Sequence, residues 1–200
     1  MNPRTRSSSS SSFFLLSSLS LSALLIAGCQ TPVNRTSTTP LTTVEAVDPE
    51  RYVGRWYEIA RLPNSFEEGC EGVTADYARR ADGLLRVVNT CREGSPAGTL
   101  KSSTGRARIV DETTNAKLEV SFFGPFWGDY WILDLADDYA WAIVGEPEGR
   151  YLWVLSRTPT ISAELWTSIN AKLTALGYDV SAVHLTAQPP VPDNPLPPPG

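Results

Sequence analysis

The stretch Gly54-Arg55-Trp56-Tyr57-Glu58-Ile59-Ala60 decides the fold that this sequence predicts. It opens with a glycine, carries a tryptophan and alternates its side chains with the period of a strand that buries one face. Far downstream, Leu155-Ser156-Arg157-Thr158-Pro159 ends the last strand of the same region. Because an arginine can lie across an indole ring, we expect Trp56 and Arg157 to form a structural clasp where the first and last strands of a closing sheet meet.

Period-two patterning continues between these two stretches and is broken by short turns. Turn residues such as Asp82-Gly83 and Glu148-Gly149 separate the apolar runs. The runs predict eight strands, at residues 55–60, 73–80, 84–91, 103–110, 116–123, 130–135, 141–146 and 151–157. A meander of eight short strands is typical of an up-and-down antiparallel barrel, in which closure removes the exposed strand edges.

The period changes after the eighth strand. Ser162 is a good helix cap, Leu165, Ile169 and Leu173 recur every four residues, and Gly177 stops the run. We expect one amphipathic helix on the barrel wall, followed by a short strand at residues 183–186. The predicted fold class is therefore all-β, an eight-stranded up-and-down antiparallel barrel with one C-terminal amphipathic helix and a short final strand.

The composition suits one folded domain with tails. Of 200 residues, 42% are hydrophobic and 10% are aromatic, which is enough for a core. The chain has 17 basic and 22 acidic residues, and two of the basic ones, Arg4 and Arg6, lie close to the amino terminus. Because an acidic domain repels phosphate, nucleic acid is not an expected partner.

Residues 1–28 have the pattern of an export signal. Arg4 and Arg6 precede an apolar stretch at residues 13–26, which serines make too polar for a stable transmembrane helix. The stretch ends in Leu25-Ile26-Ala27-Gly28-Cys29, which resembles the bacterial lipoprotein box. That resemblance implies a diacylglyceryl thioether on Cys29 and an acylated amino terminus. The alternative is an ordinary signal peptide with an incidental cysteine.

The acyl chains determine the expected location. Three chains exceed what stable anchoring requires, so the protein is expected to sit on a membrane without crossing it. Gln30 follows the anchor, at the position where an aspartate in Gram-negative lipoproteins usually means retention at the inner membrane. The expected location is therefore the cell outer membrane, lipid-anchored, on the periplasmic face.

The segments on either side of the barrel differ from it in composition. Residues 29–47, beginning with the lipidated Cys29, are rich in Thr, Ser and Pro and have the composition of a flexible tether. Residues 48–187 are expected to form the folded domain. Residues 188–200 are Pro-rich and are expected to be a disordered tail, with partner binding as the alternative.

Two cysteines follow Cys29, at Cys70 and Cys91. Export leads to an oxidising compartment, where an even pair of cysteines favours a disulfide. The pair flanks two candidate strands joined by a tight turn at Asp82-Gly83, so antiparallel pairing could bring the far ends together. A disulfide is the simplest interpretation, and a reactive thiol is the alternative.

Three local signatures, in order and with the expected strands between them, resemble those of the lipocalin family. The first runs from Asp48 to Ala60, the second is Asp138-Tyr139-Ala140-Trp141-Ala142-Ile143-Val144, and the third is Leu155-Ser156-Arg157-Thr158-Pro159. The second departs from the family pattern, because the usual Thr-Asp-Tyr is replaced. The resemblance covers residues 48–187. It implies a cup that binds fatty acids or lysophospholipids and a role in membrane maintenance under stress.

An eight-stranded barrel is just wide enough to be filled by side chains or to hold one small ligand. Packing in an ordinary core is therefore the alternative for any aromatic residue that faces inward. A carboxylate on an apolar inner face is costly unless it is paired, so Glu58 is expected near the open mouth or against an arginine. Two arguments select the cavity candidates: strand alternation from Trp56, and similarity in position to ligand-facing residues of the family. The six candidates are Glu58, Ala60, Tyr77, Asn89, Phe122 and Trp153.

A binding function fits this sequence better than catalysis. His184 is the only histidine, and the motifs Gly-x-Ser-x-Gly, His-Glu-x-x-His and Cys-x-x-Cys are absent, so no enzyme activity, cofactor or metal is expected. The expected partners are a fatty acid or lysophospholipid ligand and, through the N-terminal acyl chains, the membrane. The alternative is a non-catalytic envelope scaffold with a filled barrel and a protein partner. The sequence leaves the oligomeric state open.

Overall fold

A computed structural model describes Met1 and residues 34–190. In that part of the chain, a short helix α1 (Pro49–Tyr52) leads into the sheet, and a longer helix α2 (Ala163–Ala175) and a 3-10 turn (Val180–Ala182) follow the eighth strand. The strands are β1 (Gly54–Arg61), β2 (Cys70–Arg79), β3 (Leu85–Glu93), β4 (Leu100–Ile109), β5 (Lys117–Ser121), β6 (Gly128–Leu135), β7 (Trp141–Gly145), β8 (Leu152–Ser156) and β9 (His184–Leu185).

The sheet closes on itself. Each strand from β1 to β8 pairs antiparallel with its neighbour in sequence. β1 also pairs with β8, with Tyr57 opposite Ser156, while on its other side Gly54 lies opposite Tyr77 of β2. This confirms the predicted eight-stranded up-and-down barrel. The final strand β9 is also present and pairs with the end of β1.

The two ends of the barrel carry different connections. In an up-and-down barrel, the loops that follow odd-numbered strands all lie at one end. We call this end the mouth, and its loops are residues 62–69, 94–99, 122–127 and 146–151. The opposite end, the floor, carries α1 and the turns at residues 80–84, 110–116 and 136–140.

The predicted amphipathic helix is α2, and it packs on the outside of the barrel wall. Ser162 caps it, because its hydroxyl accepts a hydrogen bond from the Leu165 amide at 3.2 Å. Ile169 and Leu173 are fully buried in a second core between the helix and the outer face of the wall. No helix in the described part of the chain has both the length and the hydropathy that crossing a bilayer requires.

The chain before α1 packs against the barrel. Leu41 and Val47 are buried, and the amides of Val44 and Val47 donate to backbone carbonyls of the barrel at 3.0 and 2.7 Å. The expectation of a flexible tether at residues 29–47 is therefore wrong from residue 34 onward. We call residues 34–47 the N-terminal strap. The signal segment after Met1, the lipid attachment at Cys29 and residues 191–200 lie outside the described residues.

The chain after α2 fills a gap between β1 and β2 near the mouth. These strands pair with each other only where residues 54–57 lie opposite residues 74–77. Nearer the mouth, their backbone groups are not bonded to each other and need other partners. The Gly72 amide donates to the Ala187 carbonyl at 2.8 Å, and Gln188 Nε2 donates to the carbonyls of Glu58 and Val73 at 2.7 and 3.0 Å. The predicted tail at residues 188–200 is therefore wrong at Gln188, which belongs to the domain.

The predicted disulfide is confirmed. Cys70 at the start of β2 is bonded to Cys91 near the end of β3, with a Cα–Cα distance of 5.3 Å. Both residues lie at the mouth half of their strands. The bond fixes the two strands where the loop after β1 rejoins the sheet.

Candidate ligand-binding site

The floor of the barrel is closed by the first and last strands together. The Arg157 guanidinium lies 3.7 Å from the centre of the Trp56 ring. Its Nη1 and Nη2 atoms also donate to the carbonyls of Arg55 and Arg51 at 2.8 and 2.7 Å, and the Trp56 indole donates to the Tyr52 carbonyl. Trp56 is fully buried, so this clasp is part of the fold.

The half of the interior nearest the floor is packed with side chains. Leu85 and Val87 of β3 and Ala107 of β4 face inward, and none of them is more than 3% exposed. One void of about 10 Å³, lined by residues that include Tyr52 and Leu118, remains there. A void of that size holds at most a single water molecule.

Toward the mouth the inner face opens. Asn89 and Ser103 continue the inward alternation from Val87 and Gly105, because the β3–β4 register runs without a bulge. Asn89 is half-buried and Ser103 is exposed, since β4 reaches past the end of β5. We call this accessible mouth half of the interior the cup. The barrel is thus closed below and open above.

Four of the sequence-predicted cavity residues face the interior. Tyr77 lies at the base of the cup and is 6% exposed. Phe122 lies so close over Gly105 that a Cβ there would meet its ring at 2.8 Å. Trp153 stands half-buried on the wall, and its indole donates to Glu67 Oε2 at 3.0 Å. The Asn89 Oδ1 atom is buried and accepts no hydrogen bond from the described residues.

Ala60 does not face the cup, and its prediction as a cavity residue is wrong. The register between β1 and β8 shifts between Glu58 and Ala60, so Ile59 is an extra residue in β1. A bulge of this kind reverses the alternation that follows it. Ala60 therefore lies in the outer core against α2, and Arg61 takes the inward position instead.

Glu58 is inward, but it is engaged in an ion pair. Arg61 Nη1 lies 2.6 Å from Glu58 Oε1, and the Thr186 hydroxyl donates to the same oxygen. The Glu58 side chain is only 2% exposed and lies against an arginine, which is one of the two arrangements expected for it; its role in lining the cavity stays a prediction. Burial raises the pKa of Glu58, and the nearby Glu67 raises it further, while Arg61 opposes both effects.

Sequence reasoning missed the part that Arg61 plays. Besides Glu58, its guanidinium donates to the carbonyls of Glu67 and Cys70 at 3.1 and 2.8 Å. It thus ties the long loop at residues 62–69 to the wall of the barrel. Strict alternation from Trp56 points Arg61 outward, and the sequence carries no mark of the bulge at Ile59 that turns it inward.

That loop, a candidate lid, carries one apolar side chain at the mouth. Phe66 is 61% exposed, and its ring centre lies 5.4 Å from that of Tyr151 and 6.2 Å from that of Trp153. The Glu67 carboxylate accepts hydrogen bonds from Asn64 and Trp153 and so holds the loop over the wall. The entrance to the cup is therefore aromatic.

A larger cleft of about 520 Å³ lies outside the barrel at the floor end. Charged side chains line it, among them Arg79, Arg108, Asp82 and Glu112. This lining is unsuited to an acyl chain, which requires apolar walls. In the described part of the chain, no group of three or more His, Cys, Asp or Glu residues is placed to hold a metal ion.

The geometry defines the class of the molecule as a cup-shaped antiparallel barrel, closed at the floor and open at the mouth. The family described as "Lipocalin-like domain" matches residues 47–188, and the chain belongs to the lipocalin family. The chain is 43% identical over 167 residues to the outer membrane lipoprotein Blc of Escherichia coli strain K12, covering 84% of this chain and 92% of that protein. It is 36% identical to apolipoprotein D of Mus musculus, covering 74% of this chain and 81% of that protein.

Two further comparisons extend the family. Temperature-induced lipocalin-1 of Arabidopsis thaliana is 35% identical, covering 72% of this chain and 81% of that protein. Insecticyanin from the tobacco hornworm Manduca sexta is similar in structure, with a TM-score of 0.60 at 21% identity over 73% of this chain and 83% of that chain. The second likeness shows the fold alone.

Proposed function

We propose that this protein binds one fatty acid or lysophospholipid in the cup and carries or stores it in the cell envelope. The observation that carries the proposal is the gradient of burial along the inner face, from fully packed Ala107 to half-buried Asn89 and exposed Ser103. A space of this kind, closed at one end and open at the other, admits one elongated molecule from the mouth.

The lining of the cup supports an amphipathic ligand. Phe122, Trp153 and Ala75 supply apolar surface, and Asn89 supplies a buried acceptor without a partner among the described residues. An acyl chain gains free energy from apolar walls, whereas a charged headgroup loses hydration if it is buried. The chain of the lipid therefore points toward the floor, and its headgroup stays at the mouth.

The proposed location is the outer membrane, with the protein held on the periplasmic face by acyl chains on Cys29. The lipoprotein box around Cys29 supports it, as does the name of the Escherichia coli relative, an outer membrane lipoprotein. Membrane maintenance under stress is part of the same proposal. The name of the Arabidopsis relative, a temperature-induced lipocalin, supports that part.

We propose a binding role rather than a catalytic one. His184, the single histidine, lies 2.9 Å from Glu71 Oε1, where the C-terminal segment joins the wall near the mouth. A histidine that is hydrogen-bonded to Glu71 at a strand end is accounted for by the fold. The scaffold alternative requires a filled barrel, and the half-buried Asn89 and Trp153 on the inner face favour a binding role over it.

The test fills the cup by one substitution. Gly128 opens β6 and follows the inward alternation of Tyr130, and a Cβ at this position would meet no atom within 4 Å. We expect Gly128→Leu to weaken palmitate binding roughly tenfold or more by occupying the cup. Binding is measured by tryptophan fluorescence, since Trp153 lies on the wall. Asp129→Leu, on the outward face of the same strand, is the matched control and should bind as the parent does; equal binding by both variants would contradict the proposal.

A further inference from the structure

Three tyrosine hydroxyls meet inside the barrel at the base of the cup. Tyr52 reaches up from α1, Tyr77 comes from β2 and Tyr130 from β6. The Tyr52 and Tyr130 hydroxyl oxygens lie 2.8 Å apart, and the Tyr77 hydroxyl donates to Tyr130 at 3.1 Å. We call these three side chains the tyrosine triad. All three are at most 8% exposed.

The triad has one more donor than it uses. Three hydroxyls carry three protons, and the two hydrogen bonds between them use two. No other described residue accepts a hydrogen bond from these oxygens, so one proton can be donated to an oxygen that does not belong to the described residues. Burial raises the pKa of Tyr77 to about 12 and also raises those of Tyr52 and Tyr130, so the hydroxyls stay neutral donors. An incoming oxygen that accepts this proton gains a hydrogen bond in apolar surroundings.

The way from the mouth to the triad is lined by small residues. Ala75 is the next inward residue from Tyr77 along β2, and Gly128 is the next from Tyr130 along β6. A Cβ at Gly128 would meet no atom within 4 Å, so the space at this position, one inward residue nearer the mouth than Tyr130, is open. The far end of a ligand that enters through the mouth can therefore reach the triad.

We propose that the tyrosine triad is a second recognition point, which accepts a neutral oxygen at the deep end of the ligand. A hydroxyl or carbonyl oxygen fits, because it accepts the spare proton and carries no charge into the core. A carboxylate does not fit, since Trp56, Leu118 and Ile132 surround the site with apolar surface. The nearby cation, Arg157, is already engaged, because its guanidinium donates to the carbonyls of Arg51, Tyr52 and Arg55. The favoured ligand is thus an acyl chain with an oxygen function near its far end.

This inference rests on the proposed function, and the test separates the two. Palmitate and ω-hydroxypalmitate differ by a single terminal hydroxyl, and the pairs of myristate and laurate with their ω-hydroxy derivatives cover shorter distances to the triad. We expect the ω-hydroxy acid of the best-fitting length to bind roughly three- to tenfold more tightly than its parent, the value of one net hydrogen bond. Titration calorimetry on the protein lacking residues 1–29 measures each affinity.

The variant that removes the triad changes Tyr52, Tyr77 and Tyr130 to Phe together. This variant removes all three hydroxyls, so no hydroxyl is left without its partner. The three aromatic rings remain, so the shape of the core is kept. We expect unchanged palmitate affinity and loss of the preference for the ω-hydroxy acid. Tyr57→Phe, on the outward face of β1, is the control and should keep the preference.

Each outcome has a definite meaning. Equal binding of both lipids by the parent protein, at every chain length, overturns the triad proposal alone, as does a preference that persists in the triple variant. Binding of neither lipid overturns the proposed function and the triad proposal with it. The comparison in the parent protein decides the matter even if the triple variant does not fold.

Discussion

Arg61 and Glu58 form an ion pair inside the wall of the barrel, with Arg61 Nη1 lying 2.6 Å from Glu58 Oε1. Their side chains are 6% and 2% exposed, so neither charge is solvated by water. The bulge at Ile59 makes the pair possible, because it turns two residues three apart in a strand to the same face. The same guanidinium holds the loop at residues 62–69, so the pair links the mouth to the wall.

Breaking this pair from one side is expected to be costly. Glu58→Ala leaves the Arg61 charge buried without its partner, and we expect a loss of roughly 3 to 5 kcal/mol in the free energy of unfolding. Urea denaturation followed by tryptophan fluorescence measures it. Replacing both residues, as Glu58→Gln with Arg61→Met, should recover much of the loss; a double variant as unstable as the single one would contradict this account.

The disulfide is expected to stabilise the domain by restricting the unfolded chain. Cys70 and Cys91 are separated by 21 residues in sequence, and closing a loop of that size is worth about 3 kcal/mol in the chain-entropy view. The Cys70→Ser, Cys91→Ser double variant should lose about that amount in urea denaturation. The parent protein under reducing conditions is the matched comparison, and no change in its midpoint would count against the prediction.

The Trp56–Arg157 clasp is expected to support the fold without touching the ligand. Arg157→Ala removes the cation from the indole and leaves the Arg51 and Arg55 carbonyls without their donor, at a cost on the order of 2 kcal/mol. Because the clasp lies at the floor, palmitate affinity of the folded variant should match that of the parent. A large loss of affinity with little loss of stability would instead make Arg157 a ligand contact.

The tyrosine triad predicts the stability of the protein in alkali. Burial raises the pKa of Tyr77 to about 12 and raises those of Tyr52 and Tyr130, whereas a tyrosine in the unfolded chain ionises near pH 10. The folded state keeps protons that the unfolded chain releases, so this stability is fully present below about pH 10 and falls as the pH rises toward about 12. Urea denaturation at about pH 8 to 11 should show a steeper loss in the parent than in the triple Phe variant. An equal loss of stability with pH in the parent and the triple Phe variant would contradict the raised pKa values of the three tyrosines.

The anchor is tested independently of the cup. In the full-length protein, Cys29→Ala removes the acceptor for the acyl chains, so we expect the protein to leave the membrane fraction. Lipid uptake by the released protein should be unchanged, since Cys29 precedes the residues that form the barrel. Retention in the membrane fraction after fractionation would show that another contact holds the protein there.

The sequence was sufficient for the architecture because the barrel repeats one simple signal. Alternation at period two, interrupted by turn residues such as Asp82-Gly83, predicted eight strands, and the change of period after Ser162 predicted α2. The pairing of Cys70 with Cys91 followed from the same strand order. Each of these features depends on the local pattern of apolar and turn residues and on the closure of the barrel that this pattern predicts.

The departures have local causes that residue type does not show. A single extra residue at Ile59 reversed the faces of Ala60 and Arg61, and nothing in the composition marks a bulge. The N-terminal strap has the composition of a linker, yet a few apolar residues such as Leu41 and Val47, with backbone hydrogen bonds, hold it on the barrel. Gln188 was assigned to a tail because prolines follow it, although its side chain completes the gap between β1 and β2.

The most direct measurement is native mass spectrometry of the domain, lacking residues 1–29, before and after exposure to palmitate and to a lysophospholipid. The account predicts a mass increase of one lipid per protein chain and a change in tryptophan emission, because Trp153 stands on the wall of the cup. Protein that stays at its unliganded mass with both lipids, with unchanged tryptophan emission, would contradict it.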